Sequence, residues 1–208
     1  MQDAAAHYQV AIIGAGFGGL AMAIRLLQRN IHNFVILEKS NEVGGTWREN
    51  QYPGAACDVQ SHLYSLSFAP KTDWSKRYAE APEIFQYIQD VVQQFNLREY
   101  CQFNSEVVHT EYHEKDCAWH VALKDGRQLS CQYLVFASGP LHVPQIPHIQ
   151  GIEKFQGKVF HSSQWDHQYN LNSKVVASIG TGGSAIQYIP EIAPQVKQLY
   201  VMRSEERR

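Results

Sequence analysis

Residues 9–20, QVAIIGAGFGGL, join a short apolar segment to a glycine-rich turn and then to apolar residues at helical spacing. The glycines form the pattern Gly14-x-Gly16-x-x-Gly19, and a second apolar segment ends at Glu38, about 20 residues further on. A strand, a glycine turn, a helix and a second strand predict a β-α-β unit with parallel strands and a right-handed crossover. The acid after the second strand completes the dinucleotide-binding pattern.

Each glycine of this pattern has its own physical role. Gly14 permits a tight turn, Gly16 lets the backbone approach a pyrophosphate, and Gly19 lets the helix pack closely on the strand. N–H groups at the start of the helix would face the phosphate charge. Glu38 would accept hydrogen bonds from ribose hydroxyls. The alternative is a glycine-rich surface turn beside an unrelated glutamate.

A second glycine pattern, Gly180-x-Gly182-x-x-Ala185, lies between a strand predicted over 174–179 and a helix predicted over 184–192. Alanine is an accepted third member of this pattern. Arg203 follows the next strand, as Glu38 does in the first unit, and a cation there can pair with a 2′-phosphate. The sequence therefore predicts FAD at the first site, NADPH at the second, and redox chemistry. The alternative for Arg203 is a solvated charge.

The middle of the chain predicts one helix and several short strands. Pro82 is suited to the first turn of a helix because its φ angle is fixed. Asp125-Gly126 predicts a hairpin turn, and the apolar run 133–137 predicts a separate, buried parallel strand. Alternation of apolar and polar residues predicts further strands over 106–112, 118–123 and 127–132.

A connector rich in proline follows these strands and ends at Gly151. The predicted fold is α/β, with a Rossmann-like FAD-binding domain, a parallel sheet with a β-meander, over residues 1–145. Residues 146–208 are predicted to form a linker and the start of a second Rossmann-like domain, which would bind NADP.

Composition excludes several functional classes. The formal net charge of −2 gives no basic surface for nucleic acid or an anionic membrane. No signal peptide or apolar segment of membrane-spanning length is recognised, which predicts a cytoplasmic protein. Four cysteines without a C-x-x-C pair predict reduced thiols and count against a dithiol reductase. No metal site is predicted, because His109, His113 and His120 have no recognised cysteine or carboxylate partners at ligand spacing.

The segment Phe155-x-Gly157-x-x-x-His161-x-x-x-Trp165-Asp166 resembles the fingerprint of Baeyer–Villiger monooxygenases. Residues 44–65, which include Gly-Gly-Thr-Trp and Tyr-Pro-Gly-Ala-Ala-Cys-Asp, are also similar to that family, as is Ala-Ser-Gly at 137–139. The resemblance extends from about Val10 to about Arg203. Related flavin monooxygenases that oxygenate nitrogen or sulfur usually lack the tryptophan at Trp165.

This resemblance implies that NADPH reduces FAD and that the reduced flavin activates O2 for insertion into a small-molecule ketone, or for oxidation of a heteroatom. Asp58 would help to position the nicotinamide, and His161 and Trp165 would act indirectly. The implied FAD contacts are Gly14, Gly16, Phe17, Gly19, Glu38, Lys39, Thr46, Trp47, Asp58, Tyr64 and Val107. The implied NADPH contacts are Gly180, Thr181, Gly182, Gly183, Ser184, Ala185, Gln187, Arg203 and Ser204.

The sequence departs from the family at three points. Arg48 and Glu49 stand where aromatic residues are usual, and Ala56 stands where arginine is usual. Family members are also longer, and no residue here corresponds to their active-site arginine. A second hypothesis is therefore a truncated, non-catalytic nucleotide-binding remnant or one part of a split protein. The oligomeric state is not predicted.

Overall fold

A computed structural model describes residues 6–140 and 143–203. The described chain forms two compact units, each made of several segments. The first unit contains residues 6–46, 66–70 and 85–140, and the second contains 47–65, 71–84 and 143–203. The domain boundary expected between residues 145 and 146 stays a prediction.

The first unit begins with a β-α-β motif. Strand β1, Ala6–Ile13, leads through the glycine turn into helix α1, Phe17–Leu27, and then to strand β2, Phe34–Leu37. The two strands pair in parallel, with Val10 opposite Phe34 and Ile13 opposite Leu37. All four residues of β2 are buried, as expected for a strand with parallel neighbours.

Six strands form one sheet in this unit, in the order β3-β2-β1-β6-β5-β4. Strands β1, β2, β3 and β6 run parallel to one another, whereas β5 is antiparallel to both of its neighbours. The four strands not yet described are β3, Cys101–Gln102; β4, Val107–His113; β5, Ala118–Leu123; and β6, Gln128–Phe136. The predicted α/β class and the parallel sheet with a meander are confirmed.

Strand β6 corrects the prediction of two separate strands over 127–132 and 133–137. It is continuous and lies parallel to β1 from Leu129 to Phe136. Strand β5 pairs with it only from Gln128 to Cys131. This explains why the alternation of apolar and polar residues gives way to a continuous apolar run in the middle of one strand. The predicted burial of the second half is also wrong, because Tyr133 and Phe136 are 62% and 63% exposed.

Two further helices lie between β2 and β3. Helix α2 is a single turn, Thr46–Glu49, and helix α3, Ala81–Gln94, starts one residue before Pro82. The buried face of α3 includes Ile84, Ile88 and Val91, which recur at helical spacing and are at most 3% exposed.

The second unit contains a second β-α-β motif, as predicted. Strand β7, Val175–Ile179, and strand β8, Gln198–Met202, pair in parallel on either side of helix α4, Gly183–Ile192. The segment 47–65 is tied into the same unit by backbone hydrogen bonds, among them Cys57 N–H to Ala79 O at 2.9 Å.

None of the helices in the described part of the chain combines the length and the apolar character needed to cross a membrane.

Candidate functional site

The first glycine turn is shaped by close backbone contacts. Gly14 has φ +104°, and its N–H donates to Leu37 O at 2.8 Å, which ties the turn to the end of β2. A Cβ atom on Gly14 would lie 2.6 Å from Ala137 O, and one on Gly19 would lie 1.9 Å from Gly14 O. The polypeptide itself therefore requires glycine at both positions.

Gly16 differs from these two glycines. A Cβ atom there would meet only Gly45 Cα, at the ordinary contact distance of 3.8 Å. Gly16 is the N-cap of α1, and the first turn of this helix contains no acidic side chain. The open space next to Gly16 and the N-terminal end of the helix suit a phosphate anion.

Glu38 is bound to the backbone of this turn. Its carboxylate is only 4% exposed, with Oε2 accepting from Ala15 N–H at 2.9 Å and Oε1 from Ser40 N–H at 3.0 Å. Sequence reasoning predicted the ribose contact but missed the bonds that fix the loop. The ribose contact itself stays a prediction.

Three further predicted FAD residues of the first unit lie at separate points of the chain. Lys39, next to Glu38, is exposed, and Val107, at the start of β4, is partly buried. Thr46 is exposed at the start of α2. Gly45 belongs to the segment that resembles the family but was not predicted as a FAD contact; its φ is +50°, and an added Cβ would lie 3.2 Å from Gly16 Cα.

The second glycine turn repeats the backbone geometry of the first. Gly180 has φ +100°, and its N–H donates to Met202 O at 2.7 Å, as Gly14 donates to Leu37. Gly182 is the N-cap of α4, as Gly16 is the N-cap of α1.

The surroundings of the second turn are open. A Cβ atom on Gly180, Gly182 or Gly183 would meet no other atom within 4 Å. No side chain in the described residues therefore fills this turn, and the N-terminus of α4 is accessible to an anion. The first turn of α4 also lacks acidic residues.

Arg203 directly follows β8, as Glu38 directly follows β2, and its side chain is exposed. The other predicted NADPH residues range from exposed Thr181 to buried Ala185, with Ser184 between these extremes. Ser204 lies outside the described residues.

Gln187 holds a neighbouring segment in place. Its Oε1 accepts from Tyr52 OH at 2.9 Å and from Ala56 N–H at 3.3 Å, and its Nε2 donates to Ala56 O at 2.8 Å. The approach is so close that a Cβ atom on Gly54 would lie 2.8 Å from Gln187 O. The predicted NADPH contact of Gln187 stays untested, whereas its bonds to residues 52–56 were not anticipated.

The fingerprint residues are packed around α4 of the same unit. The Trp165 ring contacts Phe160 edge-on at 5.2 Å and Tyr188 at 5.3 Å between ring centroids. The Nδ1 atom of His161 accepts from Ser163 N–H at 3.2 Å. These contacts give Trp165 a packing role and His161 the role of capping the turn at residues 162–164, and any indirect role of either residue in a reaction stays a prediction.

The predicted flavin-side residues of the second unit include a hydrogen-bonded aromatic pair. Trp47 Nε1 donates to Tyr64 OH at 3.0 Å, and the two rings meet edge to face. Burial raises the pKa of Tyr64, so its phenol stays neutral at physiological pH. Asp58 is exposed. The unusual Arg48 and Glu49 form an ion pair with each other at 3.0 Å.

The cysteines lack the properties of a redox-active dithiol. All four are free, and burial raises the pKa of Cys101 to about 12. Burial also raises the pKa of Cys131. Such thiols stay protonated and are poor nucleophiles.

Comparison with known proteins identifies a family whose sequence profile matches this chain and relatives with similar sequences. The sequence profile of the pyridine nucleotide-disulphide oxidoreductase family matches residues 11–208. The chain is 48% identical over 196 residues to a Baeyer–Villiger monooxygenase of Pseudomonas aeruginosa, covering 94% of this chain and 37% of that protein. A Baeyer–Villiger monooxygenase of Streptomyces coelicolor is 47% identical, with coverage of 93% and 37%. The chain thus spans little more than a third of the curated relatives it matches.

Solved structures give the same result. Cyclohexanone monooxygenase from Rhodococcus sp. Phi1 bound to NADP+ superposes with a TM-score of 0.88 at 35% identity, covering 96% of this chain and 38% of that one. Oxidized steroid monooxygenase bound to NADP superposes with a TM-score of 0.86 at 38% identity, covering 94% and 38%. The resemblance to Baeyer–Villiger monooxygenases inferred from the sequence is confirmed.

Proposed function

The chain belongs to the pyridine nucleotide-disulphide oxidoreductase family, and from this we propose that it binds FAD at the first glycine turn and NADPH at the second. The reaction we propose is monooxygenation of a small-molecule ketone or a heteroatom. The cytoplasmic location inferred from the sequence stays a prediction.

One observation carries the cofactor assignment: two turns with the same backbone bonds are followed by unlike residues. Gly14 and Gly180 make equivalent hydrogen bonds to the ends of β2 and β8. The first strand is then followed by buried Glu38 and the second by exposed Arg203. A carboxylate accepts from ribose hydroxyls but repels a 2′-phosphate, whereas a guanidinium can bind that phosphate through two donors.

The residues of the chain would bind and orient the two nucleotides. The N-termini of α1 and α4 would hold the pyrophosphates, and the two glycines at the N-caps would let the backbone approach them. When bound, the cofactors would supply a hydride and the activation of O2 for transfer of one oxygen atom.

The relatives support this assignment over a disulfide reductase, which the family also contains. Those named above are monooxygenases, and two of the solved structures contain NADP. A dithiol reaction would need a pair of reactive cysteines, and burial keeps Cys101 and Cys131 protonated.

The second glycine turn offers a direct test of the cofactor assignment. Gly182→Val adds a side chain where no atom lies within 4 Å, so the fold should be unchanged while the pyrophosphate position is filled. Isothermal titration of the purified chain with NADPH should show binding that this variant loses. Unchanged NADPH affinity in Gly182→Val would rule out this turn as the site.

Arg203 tests the choice of NADPH over NADH. Loss of one charge-assisted contact is worth about 1.5–3 kcal/mol, so Arg203→Ala should weaken NADPH binding by about 10- to 100-fold and leave NADH binding unchanged. The matched control is Lys197→Ala, which removes an exposed charge just before β8, at the end opposite to the glycine turn. Equal losses for both variants would show a general charge effect.

The reaction itself is tested with labelled dioxygen. The chain, supplied with FAD, NADPH and cyclohexanone, is incubated under ¹⁸O₂ and the products are analysed by mass spectrometry. A lactone carrying one labelled oxygen supports monooxygenation. Oxidation of NADPH that yields hydrogen peroxide without labelled lactone would assign an oxidase.

A further inference from the structure

A group of potential metal ligands lies at the tip of the β4–β5 hairpin, in the first unit. The rings of His113 and His120 stack with centroids 3.9 Å apart. Asp116 Oδ2 lies 3.4 Å from His120 Nε2 and 4.0 Å from His113 Nδ1. One ligand atom from each residue lies within 4.8 Å of the others. The sequence-based statement that these histidines lack a carboxylate partner is therefore wrong.

The strand register explains why these residues meet. His113 pairs with Ala118 and Glu111 pairs with His120, so the two histidines are diagonal neighbours on one face of the hairpin. The connecting turn contains Asp116, and Cys117 closes it in the left-handed conformation, with φ +49°. The turn thus places a carboxylate beside two imidazoles from opposite strands.

The distances fit a tetrahedral cation. Zinc–nitrogen bonds of about 2.0–2.1 Å place neighbouring ligand atoms about 3.4 Å apart. The observed separations of 3.4 and 4.0 Å are close to this value, and the two stacked rings, now 22° from parallel, would rotate so that both ring planes meet at the cation. The three side chains are 40–59% exposed, so such a movement is unhindered and water can complete the coordination.

Glu111 supplies the outer partner that metal-bound histidines normally have. Its Oε2 lies 3.2 Å from His113 Nε2, the ring nitrogen that is farther from a cation bound at Nδ1. A carboxylate in this position accepts the N–H of the ligating ring and fixes its tautomer. Two imidazoles and one carboxylate suit a late first-row divalent cation such as Zn²⁺ better than Mg²⁺ or Ca²⁺.

We propose that His113 Nδ1, His120 Nε2 and an Asp116 carboxylate oxygen form a surface site for Zn²⁺, with Glu111 orienting His113. The cation joins β4, the turn and β5, and so fastens the hairpin. This site is independent of both glycine turns.

Isothermal titration calorimetry tests the site: the full chain, first freed of metal with a chelator, is titrated with zinc chloride and its Zn²⁺ affinity is measured. His120→Ala and His113→Ala should each weaken Zn²⁺ binding by more than about 100-fold, beyond the loss caused by removing an outer partner alone. The control is His109→Ala, which removes a more exposed histidine of the same hairpin that is not in the group. Its affinity should equal that of the unmodified chain.

Two further measurements separate this site from other binding. Cys117→Ser removes the exposed thiol next to Asp116 and should leave Zn²⁺ affinity unchanged. Circular dichroism of each variant should match the parent, because the altered side chains are exposed. Equal affinity in His113→Ala, His120→Ala and the parent chain, or loss of binding in Cys117→Ser, overturns the proposal.

Discussion

Replacing Glu38 by glutamine tests whether this carboxylate stabilises the first glycine turn in the absence of any nucleotide. Its two oxygens accept the N–H groups of Ala15 and Ser40 at 2.9 and 3.0 Å. Glutamine has the same shape but offers one oxygen and one NH2 group. One backbone N–H then faces another donor, and the remaining bond loses its charge.

The cost follows from the environment of the two amides. Ala15 is fully buried and Ser40 partly buried, so the amide oxygen should stay with Ala15 and the Ser40 N–H should lose its acceptor. Hydrogen bonds to charged groups contribute about 1.5–3 kcal/mol, and partial access to water reduces the loss, so we expect a decrease of about 1–3 kcal/mol in unfolding free energy.

The assay is urea unfolding of the nucleotide-free chain, combined with amide hydrogen exchange at Ala15 and Ser40. The control is Glu99→Gln, which changes an exposed carboxylate of the same unit, where such surface charges contribute at most about 1 kcal/mol. A Glu38→Gln chain as stable as the parent, with unchanged exchange at Ser40, would refute the reasoning.

Two other predictions concern the hydrogen bonds of Gln187 and the reactivity of the thiols. Gln187→Leu removes the partners of Tyr52 OH and of both backbone groups of Ala56, and should lower the unfolding free energy by about 1–3 kcal/mol in thermal or urea denaturation. The exposed Gln195→Leu is its control, and equal stability of the two variants contradicts this role. For the thiols, burial keeps Cys101 protonated until pH approaches its pKa of about 12, so iodoacetamide near neutral pH should alkylate exposed Cys117 first. Mass spectrometry of tryptic peptides decides this, and equally fast labelling of Cys101 in the folded chain would disprove it.

The parts of the fold that depend on local pattern were predictable. The strand, glycine turn and helix lie next to one another in the chain at both turns, so periodicity and glycine spacing were enough to locate them. The residue after each second strand, Glu38 or Arg203, could be found by counting. The α/β class and both β-α-β motifs were obtained in this way.

The features that were missed depend on contacts between distant residues. Strand β6 was divided in two because its neighbour β5 pairs with it only as far as Cys131, and no local pattern signals where the pairing with another strand ends. Gln187 and Ala56 are 131 residues apart, so their bonds have no sequence signature. Asp116 was overlooked because its position beside His113 and His120 depends on the hairpin register.

The glycines of the two turns differ in the space that a side chain would have, and this difference determines what a survey of mutations can show at each position. Replacing Gly14 or Gly19 should disrupt the backbone of the turn as well as nucleotide binding, so these variants would be detected only as a loss of folded protein. A Cβ atom on Gly182 would meet no atom of the described residues within 4 Å, so we expect the chain to tolerate a side chain there whether or not it binds a ligand. Selection for abundance alone would therefore leave Gly182 free to vary, and its retention in a survey scored for activity would be a direct signal of the ligand.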